Sequence, residues 1–361
     1  MSHAEKRQNS IPAQYRWIGS FRRETLWRSD LAGEHRVAAT KAWEARNMML
    51  RKILLASALV AASAGGAQAA DPESCKTVRF SDVGWTDITA TTSVASTLLK
   101  GLGYEPEVEL LSVPVTYQSL KNKDIDVFLG NWMPTMTADI DPYLADKSVE
   151  VVGANLPEGA KYTLAVPQYV HDGGVKDFAD IAKHADKFDN KIYGIEPGND
   201  GNRLIQDMID KNAFGLKDFE VVESSEQGML AQVAKSVPKK EWIVFLGWAP
   251  HPMNVNFDIE YLSGGDDYFG PDFGAAQVFT NVRAGYLQEC PNVGTLVKNL
   301  KFTVEMENEI MASILDKGMS GDEAAAAWIK ANPGALDTWL AGVTTFDGQD
   351  GAAAVKSSLG L

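Results

Sequence analysis

Short β-like runs alternate with helical patterns through most of this 361-residue sequence. The runs are rich in branched and aromatic residues, as in TVRFS (77–81), DIDVFLG (124–130) and WIVFLG (242–247). Strands that alternate with helices of roughly ten to fifteen residues form βαβ units, whose strands pair in parallel. The pattern therefore predicts an α/β fold with largely parallel sheets, and from Gly294 onward it predicts mostly helices.

A segment that resembles a secretion signal lies near the N-terminus and ends at about residue 69. Residues 48–70 read MMLRKILLASALVAASAGGAQAA, in which two basic residues, an apolar run and an A-x-A site follow one another. That order is typical of a secretory signal peptide, and the apolar run is shorter than the roughly 20 residues of a membrane span. We predict a signal peptide over 48–69 and a soluble, periplasmic mature chain. A buried N-terminal helix is the alternative.

Residues 1–47 lie upstream of this segment, although a signal peptide normally begins a chain. Met48 or Met49 could supply a start of its own. We therefore expect residues 1–47 to be an over-extended N-terminus that is not part of the mature protein. A long basic region of the signal peptide is the alternative.

The acidic balance of the chain argues against several classes of partner. Its 34 basic and 48 acidic residues give a net charge of −14. Residues 1–69 hold 11 of the basic and 5 of the acidic ones, which leaves 23 and 43, a charge of −20, in residues 70–361. Nucleic acids and anionic membranes bind basic surfaces. Like-charge repulsion at this level favours a monomer, and the negative field suits a cationic ligand.

Cys75 and Cys290 are the only cysteines in the sequence. In an exported chain two thiols are more often paired than free, so we predict a disulfide between them. Two separate buried thiols are the alternative. No L-x-x-C motif stands at the cleavage site, which favours a periplasmic protein over a lipoprotein.

The residues that could carry catalysis or bind a metal form no recognisable motif. Beyond residue 70 the histidines are His171, His184 and His251, which are far apart and lack H-x-x-x-H or H-E-x-x-H spacing. The sequence also has no G-x-S-x-G elbow, P-loop or G-x-G-x-x-G motif. We predict that the protein is not an enzyme and has no cofactor or metal ion.

Three tryptophans directly follow predicted strands: Trp85 in GWTD, Trp132 in GNWMP and Trp248 in GWAP. In open α/β sheets, ligands bind in the crevice at the carboxyl ends of the strands. Indole faces attract cations by roughly 0.5–2 kcal/mol per ring, and an aromatic cage suits a quaternary ammonium, which has no N–H to donate. We therefore predict such a cage. A sugar stacked on the rings and ordinary packing of the rings are the alternatives.

Four segments together resemble the choline- and glycine-betaine-binding proteins of ABC importers. They read FSDVGWTDITATTSVASTLLKGLGY, DVFLGNWMPT, IYGIEPGNDG and VFLGWAPHPMN, and the likeness extends from about Cys75 to the C-terminus. The resemblance implies a two-lobed periplasmic-binding-protein fold with a hinge and a ligand cleft between the lobes. We expect lobe I to comprise residues 70–158 and 250–361, and lobe II residues 159–249.

The resemblance also implies an aromatic ligand set. Trp85, Trp132 and Trp248 would form the cage, largely from one lobe or the hinge. Tyr162, in AKYTLAVP, would complete the cage from the other lobe. A half-buried strand residue with no ligand role is the alternative for Tyr162.

Two polar residues would complete the site, again by resemblance. Asp87 would accept a hydrogen bond from the choline hydroxyl, and Asn199, in EPGND, would contact the same group at a helix N-terminus. The alternatives are an acidic residue that complements a helix dipole for Asp87 and a helix N-cap for Asn199. Because Asp87 would repel the carboxylate of a betaine, choline is the preferred ligand. Cys75 and Cys290 look like the disulfide of the choline-binding members.

The leading functional hypothesis is therefore an extracytoplasmic substrate-binding protein that captures choline and delivers it to an ABC transporter permease. The main alternative binds glycine betaine or proline betaine, and acetylcholine is a further possible ligand. An exported choline-ester hydrolase is less well supported, because no serine elbow is present. A binding module that feeds a chemoreceptor would have the same sequence features.

Overall fold

The computed structural model describes residues 71–361, so the predictions for residues 1–47 and 48–69 concern residues outside the described part. Within that part the chain forms nine strands: β1 (Thr77–Asp82), β2 (Glu105–Leu110), β3 (Val127–Met133), β4 (Val149–Pro167), β5 (Lys191–Tyr193), β6 (Glu220–Val222), β7 (Phe245–Ala249), β8 (Ile259–Tyr261) and β9 (Ala275–Arg283).

Helices follow most of the strands. The longer ones are α1 (Thr86–Gly101), α2 (Val113–Asn122), α3 (Thr137–Ala145), α4 (Asp200–Asp210), α5 (Glu226–Ser236), α6 (Pro291–Asn299), α7 (Val304–Leu315), α8 (Gly321–Ala331) and α9 (Gly351–Leu359). Short helices or helical turns occupy Glu73–Cys75, Gln168–Asp172, Phe178–Ile181, Ala182–Phe188, Ala213–Gly215, Val237–Lys239, Met253–Asn256, Asp266–Phe269, Pro271–Gly274, Tyr286–Glu289 and Ala335–Trp339.

The sheet consists of two parallel groups joined by antiparallel strands. Its order is β2-β1-β3-β9-β4-β7-β5-β6, with β8 also paired to β4. Strand β1 is parallel to β2 and β3, and β5 is parallel to β6 and β7. Each parallel group with its helices forms one lobe, and β4 and β9 run between them. The predicted α/β class and two-lobed fold are therefore confirmed.

The centre of the sheet departs from the largely parallel arrangement that the sequence predicted. Strand β9 is antiparallel to both β3 and β4, and β4 is antiparallel to β7 and β8. The sequence pattern also predicts two separate strands, at 149–154 and 162–166, but both segments belong to one 19-residue strand. Register shifts between Val151 and Ala160 interrupt its pairing with β9, which accounts for the break in the sequence pattern. The division into residues 70–158 with 250–361 and residues 159–249 stays a prediction.

Two apolar clusters stabilise the described part of the chain. One packs α1 against the C-terminal helices α7, α8 and α9, and includes Cys75 and Cys290. These two cysteines form a disulfide with a Cα–Cα distance of 5.7 Å. The other cluster surrounds β4 and β7 and contains the predicted cage residues. No helix among residues 71–361 is long and apolar enough to cross a membrane.

Candidate ligand-binding site

A small cavity lies where the two parallel groups of strands meet. All six of the predicted ligand residues line it, together with one isoleucine that the sequence reasoning missed: Trp85, Asp87, Trp132, Tyr162, Ile195, Asn199 and Trp248. Ile195 ends the apolar run KIYGI directly before the EPGND segment, and that position could have indicated it. The four aromatic side chains are at most 5% exposed.

The four rings come from three strands and one helix start. Trp85 is the residue before α1, and two residues separate it from the end of β1, so it follows that strand as predicted. Trp132 and Trp248 instead lie inside β3 and β7, one residue before each strand ends. Because side chains alternate along a strand, the residues next to Trp132 face the opposite side of the sheet.

Trp248 belongs with Tyr162 rather than with the other tryptophans. The two residues are register partners in the antiparallel pair β4–β7. The expectation that all three tryptophans come largely from one lobe or the hinge depends on the division into lobes, and it stays a prediction. Trp85 and Trp132 face it from the β1–β3 side, so the aromatic residues of the cavity are divided evenly between the two sides.

The Tyr162 ring contacts the rings of Trp132 and Trp248 without stacking face to face on either. The Tyr162 ring centroid lies 6.1 Å from that of Trp132 at an interplanar angle of 60°, and 6.3 Å from that of Trp248 at 81°. Both are edge-to-face contacts, in which the edge of one ring meets the face of the other. Such faces carry the negative potential that attracts a cation.

Hydrogen bonds fix three of the four rings. The Trp132 Nε1–H donates to Asp87 Oδ2 at 3.1 Å, and the Trp85 Nε1–H donates to Glu196 Oε1 at 2.9 Å. The Tyr162 hydroxyl donates to Asn199 Oδ1 at 2.9 Å. A side chain held by such a bond loses little further freedom when a ligand binds.

Two polar atoms at this cavity have no hydrogen-bond partner within residues 71–361: Asp87 Oδ1 and Trp248 Nε1. Both belong to buried side chains. A buried polar atom without a partner is costly, and in native structures it calls for an explanation. A ligand with a hydroxyl group would supply a donor for Asp87 Oδ1.

Buried carboxyl groups surround the aromatic rings. Burial and the charge of Glu226 together raise the pKa of Asp87 to about 8, although the hydrogen bond from Trp132 opposes both effects. Burial likewise raises the pKa of Glu196 to about 7 and that of Asp200 to about 6. Desolvation disfavours the charged form of each acid, and a nearby cation would favour it. The cavity is therefore suited to a cation.

Asn199 performs the structural role that was its alternative, while also lining the cavity. It is the N-cap of α4, and its Oδ1 accepts a hydrogen bond from the Asn202 N–H at 3.1 Å. The Tyr162 hydroxyl donates to the same oxygen. A Cβ at Gly201 would lie 2.1 Å from that hydroxyl, so only glycine allows Tyr162 to approach the helix start. The loop and the ring are thus fitted to each other.

Two other kinds of site are relevant to residues 71–361, a metal site and a second pocket. No group of three or more histidine, cysteine or carboxylate side chains in residues 71–361 is placed to hold a metal ion. A larger, open groove lies on the opposite face of β3, lined mainly by apolar residues such as Met133, Ile140 and Phe279.

Comparison with known proteins places this geometry in a family. Residues 76–331 match the family of substrate binding domains of ABC-type glycine betaine transport systems. A solved structure of an ABC-transporter choline binding protein in complex with choline is 67% identical; the match covers 80% of this chain and 100% of that one, with a TM-score of 0.79.

Two further relatives extend the comparison. Lactococcal OpuAC, in its closed-liganded conformation complexed with glycine betaine, is 28% identical; the match covers 73% of this chain and 98% of that one, with a TM-score of 0.66. An uncharacterized protein, ORF1, from Chromohalobacter salexigens is 60% identical over 130 residues, which are 36% of this chain and 83% of that protein. Because the family match spans well over half of its length, this chain belongs to the substrate-binding domains of ABC-type glycine betaine transport systems.

Proposed function

We propose that this protein is a periplasmic substrate-binding protein that captures choline and delivers it to the permease of an ABC importer. The observation that carries the proposal is the cavity itself, in which four aromatic rings adjoin a buried carboxyl group, one of whose oxygens has no partner within residues 71–361. Choline combines a quaternary ammonium with a hydroxyl. Ring faces suit the first group, and Asp87 Oδ1 suits the second.

Each residue then has a defined role. Trp85, Trp132, Tyr162 and Trp248 would surround the trimethylammonium group as a cage. Asp87 would accept a hydrogen bond from the ligand hydroxyl and balance its charge. Asn199 would orient the Tyr162 ring through the hydrogen bond between them and contact the hydroxyl end of the ligand.

Glycine betaine is the second candidate ligand, because the family description and the lactococcal relative both name it. It shares the trimethylammonium group but carries a carboxylate in place of the hydroxyl. Asp87 and the other buried acids around the cavity would repel that carboxylate. The 67% identical relative, by contrast, is a choline binding protein. Choline is therefore favoured.

The proposed protein acts by binding rather than by catalysis. The two lobes, 70–158 with 250–361 and 159–249, would close on the ligand because each contributes rings to the cage. Closure would be a population shift set by the difference in ligand affinity between the open and closed forms. We propose that a monomer then presents the closed form to the permease.

Calorimetric titration of the purified protein with choline, acetylcholine, glycine betaine and proline betaine tests this function. We expect choline to bind more tightly than either betaine. Trp132→Ala should weaken choline binding at least tenfold, since a ring that contributes 1.4 kcal/mol is worth that factor. Trp328→Ala, a change in a tryptophan outside the cavity, should leave the affinity unchanged. Failure of the wild-type protein to bind any quaternary ammonium compound would overturn the proposal.

A further inference from the structure

Glu226, at the first position of α5, is a fully buried carboxylate that does not line the cavity. Its Oε2 accepts a hydrogen bond from the Thr86 N–H at 2.8 Å, and its Oε1 accepts one from the Thr86 hydroxyl. The His251 Nε2 lies 3.2 Å from the same Oε1. A carboxylate that collects this many donors acts only as an acceptor.

The hydrogen bonds of His251 define which of its nitrogens carries the proton. Its Nδ1 accepts a hydrogen bond from the Met253 N–H at 2.9 Å. In a neutral imidazole the other nitrogen then carries the hydrogen, so Nε2–H donates to Glu226. The imidazole is 1% exposed, so this donor is directed at Glu226 and not at solvent.

These donors stand directly behind the cavity wall. Thr86 lies between Trp85 and Asp87 in the sequence, and both of those side chains line the cavity. The His251 ring packs against Trp248 with a centroid distance of 4.9 Å. Thr86 also begins the 16-residue helix α1, whose N-terminal amides favour an anion. We refer to these three donors as the anion site: the Thr86 N–H, the Thr86 O–H and the His251 Nε2–H.

The anion site offers the hydrogen-bond donors that a carboxylate-bearing ligand would require. The cavity holds a trimethylammonium group equally well in choline and in betaines, so discrimination depends on the other end of the ligand. A ligand carboxylate requires N–H or O–H donors, but the indoles of Trp85 and Trp132 already donate to Glu196 and Asp87. The Trp248 Nε1–H is a single donor without a partner within residues 71–361, whereas the anion site brings three donors together beside the rings.

We propose that Glu226 is a specificity-determining residue that fills the anion site with the protein's own carboxylate and thereby excludes betaines. The assignment rests on the proposed function. Glu226 would act on a ligand carboxylate in two ways. Its side chain occupies the donors that would otherwise bind the ligand carboxylate, and its negative charge repels that carboxylate. Neither effect acts on the hydroxyl of choline, so Glu226 favours the neutral end group without contacting the ligand.

Glu226→Ala and Glu226→Gln test the proposal through a ratio of affinities. Calorimetry would give the Kd of glycine betaine divided by the Kd of choline for each protein. We expect Glu226→Ala, which frees both the donors and the space, to lower this ratio at least tenfold. Glu226→Gln removes the charge but keeps the site filled, so we expect a smaller decrease of at least threefold. Glu220→Ala, an exposed acid on β6 of the same lobe, should leave the ratio unchanged.

The ratio separates specificity from general damage. A loosened cavity would weaken both ligands together and leave the ratio where it was, whereas the proposal requires it to fall. If Glu226→Ala does not fold, as judged by circular dichroism, Glu226→Gln decides the outcome. A ratio within twofold of wild type in the folded variants would overturn the role of Glu226 while leaving choline binding intact. A wild-type protein that binds neither ligand would overturn the proposed function and this assignment with it.

Discussion

Asp87 is the acidic residue that lines the cavity, and its burial strongly affects its protonation. It is 1% exposed, one of its oxygens accepts a hydrogen bond from Trp132, and the other has no partner within residues 71–361. Burial and the charge of Glu226 raise its pKa to about 8. At neutral pH the carboxyl therefore holds a proton in the absence of a cation, and a bound cation would favour its release.

Choline affinity should consequently depend on pH through Asp87. Because the ionised carboxylate is the form that pairs with a cation, we expect the affinity to rise between pH 6 and pH 8 and to level off above that range. Binding at pH 7 should release a proton, which calorimetry in two buffers of different ionisation enthalpy would detect. Asp87→Asn should bind choline more weakly and lose most of this dependence. An affinity that stays constant or falls from pH 6 to pH 8 would contradict the assignment.

At the scale of elements, hydrogen bonds to two acidic residues of the β5–β7 side anchor the start of α1, which forms part of the cavity wall. The Trp85 indole donates to Glu196, and Thr86 donates to Glu226, 140 positions further along the chain. The helix itself packs on α7, α8 and α9 in the other apolar cluster. A closing movement of the lobes would therefore act on the Trp85–Asp87 turn through these two acids.

The start of α4 provides an element-scale prediction, because Asn199 is both a helix cap and a cavity residue. Asn199→Ala should lower the free energy of unfolding by about 1 kcal/mol through loss of the cap. It should also weaken choline binding, since the Tyr162 hydroxyl loses its acceptor. Asp350→Ala removes the N-cap of α9, away from the cavity, and is the matched control. We expect similar unfolding free energies in urea for the two variants but a change of choline Kd only in Asn199→Ala. Equal affinities in both would contradict the dual role.

Local patterns predicted the elements better than their partners. The strands β1, β3 and β7 follow from local runs of branched and aromatic residues, a pattern that depends only on neighbouring residues. Strands β8 and β9 were not predicted, and the central antiparallel pairing was missed, because pairing depends on residues far away in the sequence. The three tryptophans could be named from short motifs, and the resemblance to a known family added Asp87, Tyr162 and Asn199, whereas neither indicated the Glu226–His251–Thr86 contact. Its partners become neighbours only in the folded chain.

For the whole molecule, the separation of two apolar clusters implies that stability and binding can be changed independently. The Cys75–Cys290 disulfide belongs to the cluster that packs α1 on the C-terminal helices, while the aromatic and apolar cavity residues belong to the other cluster. The bridge joins residues 215 positions apart. In the chain-entropy view, closing so long a loop restricts the unfolded chain and stabilises the folded one by about 5 kcal/mol.

Replacing both cysteines by alanine tests this separation. Because the unfolded chain regains its freedom, we expect Cys75→Ala/Cys290→Ala to lower the free energy of unfolding by about 2–5 kcal/mol and to lower the melting temperature. The choline Kd should stay within about twofold of wild type, since no cavity residue belongs to the cluster that contains the bridge. Calorimetric melting and titration of the same samples would measure both, and the wild-type protein treated with a thiol reductant serves as the comparison. A tenfold loss of affinity in the folded double variant would show that the clusters are coupled, and that the disulfide contributes to the geometry of the cavity as well as to the stability of the chain.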